Sequence, residues 1–599
     1  MLTGFVREVQ DKVSLFNHRK TRLQVLMSGR EVAVQESFRD PCQILHVLPY
    51  FVPEGNREEE NGEPYVDPKE LLIHDQRDDW WQKYSAATQG SHGSLPPELN
   101  QGNLTEITAQ PLLNYLVALS YVQGKLTVSD ETNLNTVYAD LLNSVYERGY
   151  DDNRRHQAIG DMEKGQFIRV LEEIALAAWH GDGRTTTVKE IEDHCESAGL
   201  RKLLEIFEQG AAAGVTRLLA AFYFRQSGRI RSHEKTFEFT HKSFGEYLTA
   251  CRIVRAMERI QKKLDQRQED MEEGWDELAA LKYWAEVCGP TRMDSYLLNF
   301  LRDEVALKDT KTVATWQTSF SNLIGVMLRQ GMPMERIIQP SLRFHEANQW
   351  AINSEEALLA ALNACALKTQ RLSTIKWPTP EAFGTWIRRL QGQRTGPDNV
   401  VALLSLSFLD LSKVVLHFID LYGASLGGAS LGGASLVGAS LDRARLDGAS
   451  LDGASLDGAR LGWASLDGAR LDGASLDRAS LDGASLVGAR LIGAHLDGAS
   501  LVGASLVGAR LVGARLDGAS LDRARLDGAS LDGAHLDGAS LVGANFKKTN
   551  FQDINWDTDT DWSNVSGLDK AFNVPKSLRQ QLANQHDASN NGMEKETNE

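Results

Sequence analysis

The sequence predicts a multidomain protein: a mainly α-helical N-terminal half joined to a C-terminal repeat solenoid. Three observations predict this. Leucine stands at every fifth position from Leu426 to Leu541, 24 times without a break. Alanine stands two positions ahead of each of them, from Ala424 to Ala539. Residues 1–405 instead place apolar residues at helical spacing, with only short alternating runs such as Thr236-Phe237-Glu238-Phe239.

A period of five matches neither the 3.6 of a helix nor the 2 of a strand. A straight element would smear leucine over every face, so the chain must turn once per unit to keep all leucines inside. Glycine and aspartate after each leucine supply the turn chemistry. The register extends upstream through Leu406, Leu411, Leu416 and Leu421, with bulkier Leu404, Leu409, Val414 and Ile419 in the alanine slot. Downstream it takes in Phe546, Phe551 and Trp556, giving 31 consecutive centres. The unit, Ala-Ser-Leu-Asp-Gly with variants, resembles the pentapeptide-repeat family. That resemblance implies a right-handed quadrilateral β-helix with four units per coil. The outward slot before leucine departs from the family pattern, being mostly serine or arginine. With coils stacked about 4.8 Å apart, 31 units make a rod of roughly 37 Å. Open coil ends need caps, and the bulkier start and the aromatic end are the expected caps.

The glycines belong to this repeat. Of 51 in the 599-residue chain, 24 lie in residues 423–543. At a spacing of 20, Arg470, Arg490 and Arg510 fall in one outward column, and His495, Arg515 and His535 in another. Val487, Ile492, Val502, Val507 and Val512 form an outward apolar belt, and Trp463 is the one aromatic inside the run. Exposed apolar patches mark contacts, so Trp463, Arg470, Arg490, Arg510, Val487, Ile492, Val507 and Val512 are the candidate interaction residues. Drift on a tolerant surface is the alternative, since valine suits β structure. Gly423-Ala424-Ser425-Leu426-Gly427 matches the hydrolase G-x-S-x-G elbow, but that elbow needs a strand-to-helix turn and histidine and acid partners. No catalytic residue is expected.

In the N-terminal half, Leu23–Met27 and Ile44–Leu48 read as short strands. Helical pattern runs through Trp80, Trp81 and Tyr84, then from Pro111 through Leu116. A strand at Thr236–His241 feeds a helix over Ser243–Ala250, where Ser243 and Glu246 match a capping box. Residues 251–405 carry amphipathic helices such as Ser354–Leu362, and the charged run Asp265–Glu273 reads as a solvated face or loop. The segment Phe239 to Ala250, Phe-x-His-x-Ser-Phe-x-Glu-Tyr-Leu-x-Ala, resembles the winged-helix segment of NACHT-type STAND NTPases. Val25–Arg30 is similar to their sensor 1 strand and arginine, and Pro111-Leu112-Leu113 to the helical-domain proline beside adenine. The resemblance makes Arg30, Pro111 and His241 nucleotide-contact positions, with His241 on phosphate. No G-x-x-x-x-G-K-[ST] phosphate cradle occurs, nor a Walker B strand. The chain thus resembles the C-terminal portion of a longer protein of that class, or a split or degenerate copy of one. No ATP hydrolysis and no cofactor are expected, ADP or ATP entering only with an upstream P-loop.

The expected domains are a nucleotide-binding remnant at 1–100, a helical domain at 101–160, a winged-helix-like domain at 161–255, a helical linker at 256–403, the β-helix at 404–557 and a partly disordered tail at 558–599. Net charge is 64 − 81 = −17, against a general nucleic-acid binder. The repeat carries 14 aspartates and 10 arginines over residues 424–543, too few acids for a dense DNA-mimicking face. Five widely spaced cysteines read as reduced cytosolic thiols, His194-Cys195 has no second ligand pair at zinc spacing, and no run of about 18 apolar residues suggests a membrane span. The expectation is a cytoplasmic, non-enzymatic signalling or regulatory protein. Its partner is a protein or effector, or a further copy in an oligomer. A plain interaction scaffold and a DNA-mimic topoisomerase inhibitor are the alternatives.

Overall fold

The computed structural model describes residues 50–51, 74–88, 93–100, 102–109, 111–122, 133–147, 163–181, 185–203, 224–228, 235–239, 242–337, 341–392 and 401–582. The strands expected at 23–27 and 44–48, with Arg30 and His241, lie outside these residues. The chain forms two compact units, Met1–Thr132 and Asn133–Glu599.

The first unit contains α1 (Gln76–Thr88), α2 (Gly102–Ala109) and α3 (Pro111–Val122). Trp81 is fully buried and its indole N–H donates to Asn114 Oδ1 at 3.0 Å, which is how a buried tryptophan is tolerated. Trp80 stacks on Tyr84 with ring centroids 4.9 Å apart. Arg77 is also fully buried. Its guanidinium is matched by Asp75, by Asn100 Oδ1 at 2.6 Å and by Thr108 Oγ1 at 3.0 Å, with the Phe51 ring 4.3 Å away.

The second unit begins with α4 (Leu134–Glu147), α5 (Lys164–His180), β1 (Thr186–Thr187), α6 (Val188–Ser197), β2 (Phe224–Gly228), β3 (Lys235–Phe239) and α7 (Lys242–Glu269). The three strands form an antiparallel sheet in the order β1-β3-β2. Helix α7 packs on α5, and two ion pairs join them: Arg252 with Glu173 and Arg255 with Glu172, both at 2.6 Å. Ser243 lies within the first turn of α7 rather than capping it, and Glu246 is buried against Lys242 at 3.1 Å. The capping box expected there is therefore not the device that starts the helix.

Helices α8 (Glu277–Cys288), α9 (Ser295–Ala306), α10 (Thr310–Gln330), α11 (Phe344–Thr369), α12 (Ala382–Gln391) and α13 (Val401–Leu404) follow. Asp276, Asp294 and Asp309 cap α8, α9 and α10 by accepting the backbone N–H three residues on. The expected amphipathic character of Ser354–Leu362 is corrected: Asn353 to Ala366 are buried on every side, because α8, α9, α10 and α12 surround α11. Its two buried acids survive because each is paired. Glu355 meets Arg389 at 3.2 Å and the Trp386 indole at 3.1 Å, while Glu356 accepts the Ala402 N–H at 3.0 Å and faces Arg292 at 3.6 Å.

The repeat coil then runs as predicted in period. Parallel bridges join residue i to i+20, from Asp410↔Ser430 through Ser520↔Ser540, so four units close one coil. Leucines and alanines of the run are buried inside, each leucine contributing about 1.5–3 kcal/mol of transfer free energy. The helical block covers the first coil. Ser373 pairs with Leu409, Arg302 donates to the Leu404 carbonyl at 2.6 Å, and Arg388 donates to the His417 carbonyl at 2.7 Å. The far end departs from the expected register. An extra residue stretches the bridge spacing to 21 at Ser540↔Asp561, so Trp562 takes the inward position and packs on Phe546 and Phe551. Trp556 is only half-buried and donates to Gln581 instead. Bridging continues to Phe572, past the expected boundary at 557.

Candidate functional site

Each unit of the coil turns two residues inward, leucine and alanine, and leaves three outside. The residue just before glycine's corner follows leucine; the third outward slot precedes the next leucine. Corner backbones are left-handed, and 21 of the 25 corners from 423 to 543 are glycine with φ between +63° and +70°. The backbone ladder satisfies the leucine N–H, the corner N–H, the alanine N–H and that of the slot before leucine. The N–H of the residue after each leucine, from Asp442 to Val542, is left out of it.

Aspartate fills that gap. The carboxylate of the slot after leucine accepts the N–H of the same slot one coil on. Asp442 does so for Gly462 at 2.8 Å, Asp467 for Val487 at 2.9 Å, Asp482 for Val502 at 3.2 Å and Asp517 for Asp537 at 3.3 Å. Its second oxygen reaches the slot that precedes the stacked leucine of the next coil. Arg460, Arg470 and Arg490 meet Asp442, Asp452 and Asp472 at 2.5 Å, and Arg515 meets Asp497 at 2.7 Å. Where serine holds that slot, as at Ser465, Ser475 and Ser500, its hydroxyl donates to the same aspartate. Aspartate in this repeat thus does more than favour a turn; it closes the backbone.

Arg470, Arg490 and Arg510 are bridged neighbours in one column, and His495, Arg515 and His535 in another. Val487 (39% exposed) and Val507 lie along the corner before the arginine column, and Ile492 and Val512 along the corner after it; Ile492, Val507 and Val512 are half-buried. Trp463 is 74% exposed on a separate corner, at φ +59°, with its ring lying over Gly483. Arg443 occupies the same corner one coil earlier, 5.9 Å from the Tyr422 ring. Pro111 is exposed at the first position of α3, where a missing N–H costs nothing. Sequence reasoning missed the aspartate ladder. Its signal is an aspartate after one leucine matched by arginine or serine before the leucine stacked on it.

The helical block holds buried titratable groups and, among the described residues, no cluster of metal-ligating side chains. His180 donates its Nε2–H to the Val287 carbonyl at 2.8 Å, and its ring centroid lies 5.0 Å from that of His194. Burial, with His194 beside it, holds His180 down to about 3. Burial and nearby Arg252 hold His194 down to about 4. Burial pushes Glu355 up to about 7 against the opposing pull of Arg389. Among the described residues no helix is long and apolar enough to cross a membrane.

The family model "Pentapeptide repeats (8 copies)" matches residues 419–458, 454–491, 484–523 and 519–555, so the C-terminal region consists of pentapeptide repeats. Similar solved structures are pentapeptide-repeat proteins. HetL of the cyanobacterium Nostoc sp. strain PCC 7120, involved in heterocyst differentiation regulation, is 27% identical over 31% of this chain and 92% of that one, with a TM-score of 0.17. Rfr23 of the cyanobacterium Cyanothece 51142 is 35% identical over 16% of this chain and 64% of that one, with a TM-score of 0.12. QnrB1, a plasmid-mediated fluoroquinolone resistance protein, is 20% identical over 30% of this chain and 90% of that one, with a TM-score of 0.20. No curated protein matches the chain.

Proposed function

We propose that this chain is a non-enzymatic regulatory protein whose pentapeptide coil is a protein-interaction arm carried on a helical platform. The observation that carries the reading is Trp463. A left-handed corner costs a residue with a Cβ about 1–2 kcal/mol, yet the largest side chain of all stands there, mostly in water. It contributes nothing to the inward core, and exposed tryptophan is the residue type most enriched at binding hot spots. The test places a photo-crosslinking amino acid at position 460 of the full chain, in cells that express it. A defined crosslinked partner that disappears with Trp463→Gly supports the reading; an unchanged profile overturns it.

The finer reading is a NACHT/STAND-like switch. It is supported by the sequence order of Arg30, Pro111 and His241 ahead of a repeat arm. Calorimetric titration of ADP into the chain, and into a version carrying a P-loop domain upstream, tests it. Absence of binding by the extended version removes the switch and leaves the scaffold.

A second reading, a DNA-mimic topoisomerase inhibitor, has one observation in its favour. Asp457, Asp477, Asp497, Asp517, Asp537 and Asp557 follow one another at 20-residue spacing along one corner. Arg515, at 2.7 Å from Asp497 and 3.7 Å from Asp517, interrupts that acidic column, which is why it ranks second. Unchanged gyrase supercoiling in the presence of the chain removes it.

A further inference from the structure

Seven arginines occupy the slot before leucine between Arg445 and Arg525. Four pair with an aspartate of the preceding coil, as described. Arg445 and Arg525, whose matching slots in the preceding coil hold Gly427 and Val507, turn to the aspartate two residues on, Asp447 and Asp527, each at 3.7 Å. Arg510 has neither choice. Ile492 stands in the matching slot of the preceding coil and Val512 follows Leu511, and among the described residues no carboxylate reaches Arg510.

The same replacements open the backbone. The N–H of Val512 would take its carboxylate from position 492, and that of Val507 from position 487; isoleucine and valine hold none. Neither N–H has a protein acceptor among the described residues. At this face the coil gives up the internal hydrogen bonds of Val507 and Val512 and gains branched apolar side chains on both corners. The corners themselves, Gly488, Gly493, Gly508 and Gly513, add no side chain beside them.

We propose that this face binds an acidic, apolar segment of a partner protein, with a carboxylate on Arg510 and flanking apolar side chains on Ile492 and Val512 and on Val487 and Val507. Charge complementarity selects this occupant. The six other arginines in the slot before leucine are compensated from within, and among the described residues Arg510 is the arginine of that slot left for an outside carboxylate. The contact has its template one coil earlier, where Asp472 holds Arg490 at 2.5 Å. The apolar corners select against a freely solvated anion, because only a ligand with apolar groups gains from covering them. The inference rests on the interaction-arm reading but does not use Trp463, which occupies a corner that does not border this face.

The experiment uses the full chain and a fluorescein-labelled synthetic peptide of alternating valine and aspartate, with its valine–asparagine counterpart as control. Saturable binding by anisotropy is expected for the aspartate peptide and at least tenfold weaker binding for the control. Arg510→Ser and Ile492→Asp are each expected to weaken binding at least tenfold, while Trp463→Gly leaves it unchanged. Both variants restore residue types that the repeat uses elsewhere, and Ile492→Asp supplies the missing internal carboxylate. Its melting temperature should be equal or higher, which separates lost binding from misfolding. Absence of saturable binding, or equal binding by Ile492→Asp, overturns the proposal. So does sedimentation showing self-association that Ile492→Asp abolishes, since the face would then belong to a second copy. A crosslinking profile unchanged by Trp463→Gly, with the Arg510-dependent binding intact, would sink the Trp463 contact alone.

Discussion

Asp472 closes the backbone of the next coil: its Oδ1 accepts the N–H of Ile492 at 3.1 Å, while Oδ2 holds Arg490 at 2.5 Å. Removing the carboxylate leaves one backbone donor and one guanidinium without their acceptor. Asp532 occupies an equivalent slot without a protein partner among the described residues, because Gln552 turns its N–H to Asn550. Asp472→Ala should therefore destabilise the coil by about 1–2 kcal/mol, and Asp532→Ala by less than about 0.5 kcal/mol. Paired thermal melts of the two variants check this. Equal losses would mean that aspartate acts only through turn preference.

Corner strain gives a second ranking. Gly458 has φ +64° and open space where a Cβ would go, so Gly458→Ala measures left-handed strain alone, about 1 kcal/mol. A Cβ at Gly483 would also meet the Trp463 ring at 2.9 Å, so Gly483→Ala should cost more. Relief of the same strain means that Trp463→Gly should stabilise the coil by about 1 kcal/mol. Urea melts of the three variants test the order, and a destabilised Trp463→Gly would mean that the ring contributes packing rather than strain.

The repeat was legible in the sequence because its period is carried by side chains that must be inside. Leu426 to Leu541 require a turn in every unit, and the resemblance to pentapeptide repeats implies four units per coil, which the bridges from i to i+20 show. What was not legible needs the third dimension. The outward slots look like drift until the coil brings Asp472 under Ile492, and only then does Arg510 stand out by what it lacks. The end cap was misplaced because an inserted residue near 557–560 moves the next inward position from Asp561 to Trp562, while Trp556, still 20 residues beyond Leu536, is left half-buried. Ser354–Leu362 was misread for another reason. Glu355 and Glu356 mark a solvent face only if nothing charged meets them, and Arg389 and Arg292 come from distant segments.

The histidine pair makes the second unit acid-sensitive. His180 and His194 are held near 3 and near 4, below an unfolded value of about 6.5. The unfolded chain binds those protons first, so stability is full above about pH 6.5 and falls as the pH drops toward 4. Each histidine contributes roughly 2 kcal/mol of loss between pH 6.5 and 5. Glu355, raised to about 7, acts in the opposite sense over its own range, favouring the folded state toward acid. The comparison is therefore between variants: His194→Gln should flatten the fall in melting temperature between pH 6.5 and 5 relative to the wild type. Identical slopes would show that the ring is solvated and titrates normally.

Arg302 ties the helical block to the start of the coil. Its guanidinium donates to the Leu404 carbonyl at 2.6 Å and to Asn363 Oδ1 at 2.8 Å; burial lowers it to about 10, so it stays charged at neutral pH. Arg302→Met keeps the bulk and leaves both acceptors unpaired, a loss of roughly 2–4 kcal/mol. A solenoid transmits such a loss only between neighbours, because each coil bonds to the one before and after it. The amides of Leu411 and Leu416, which donate to Ser430 and Ser435 at 2.7 Å, should exchange hydrogen faster in the variant. The amide of Leu491, four coils further on and bonded to Arg510, should keep its wild-type rate. A uniform acceleration along the coil would mean that block and repeat unfold as one cooperative unit rather than through a junction that opens first.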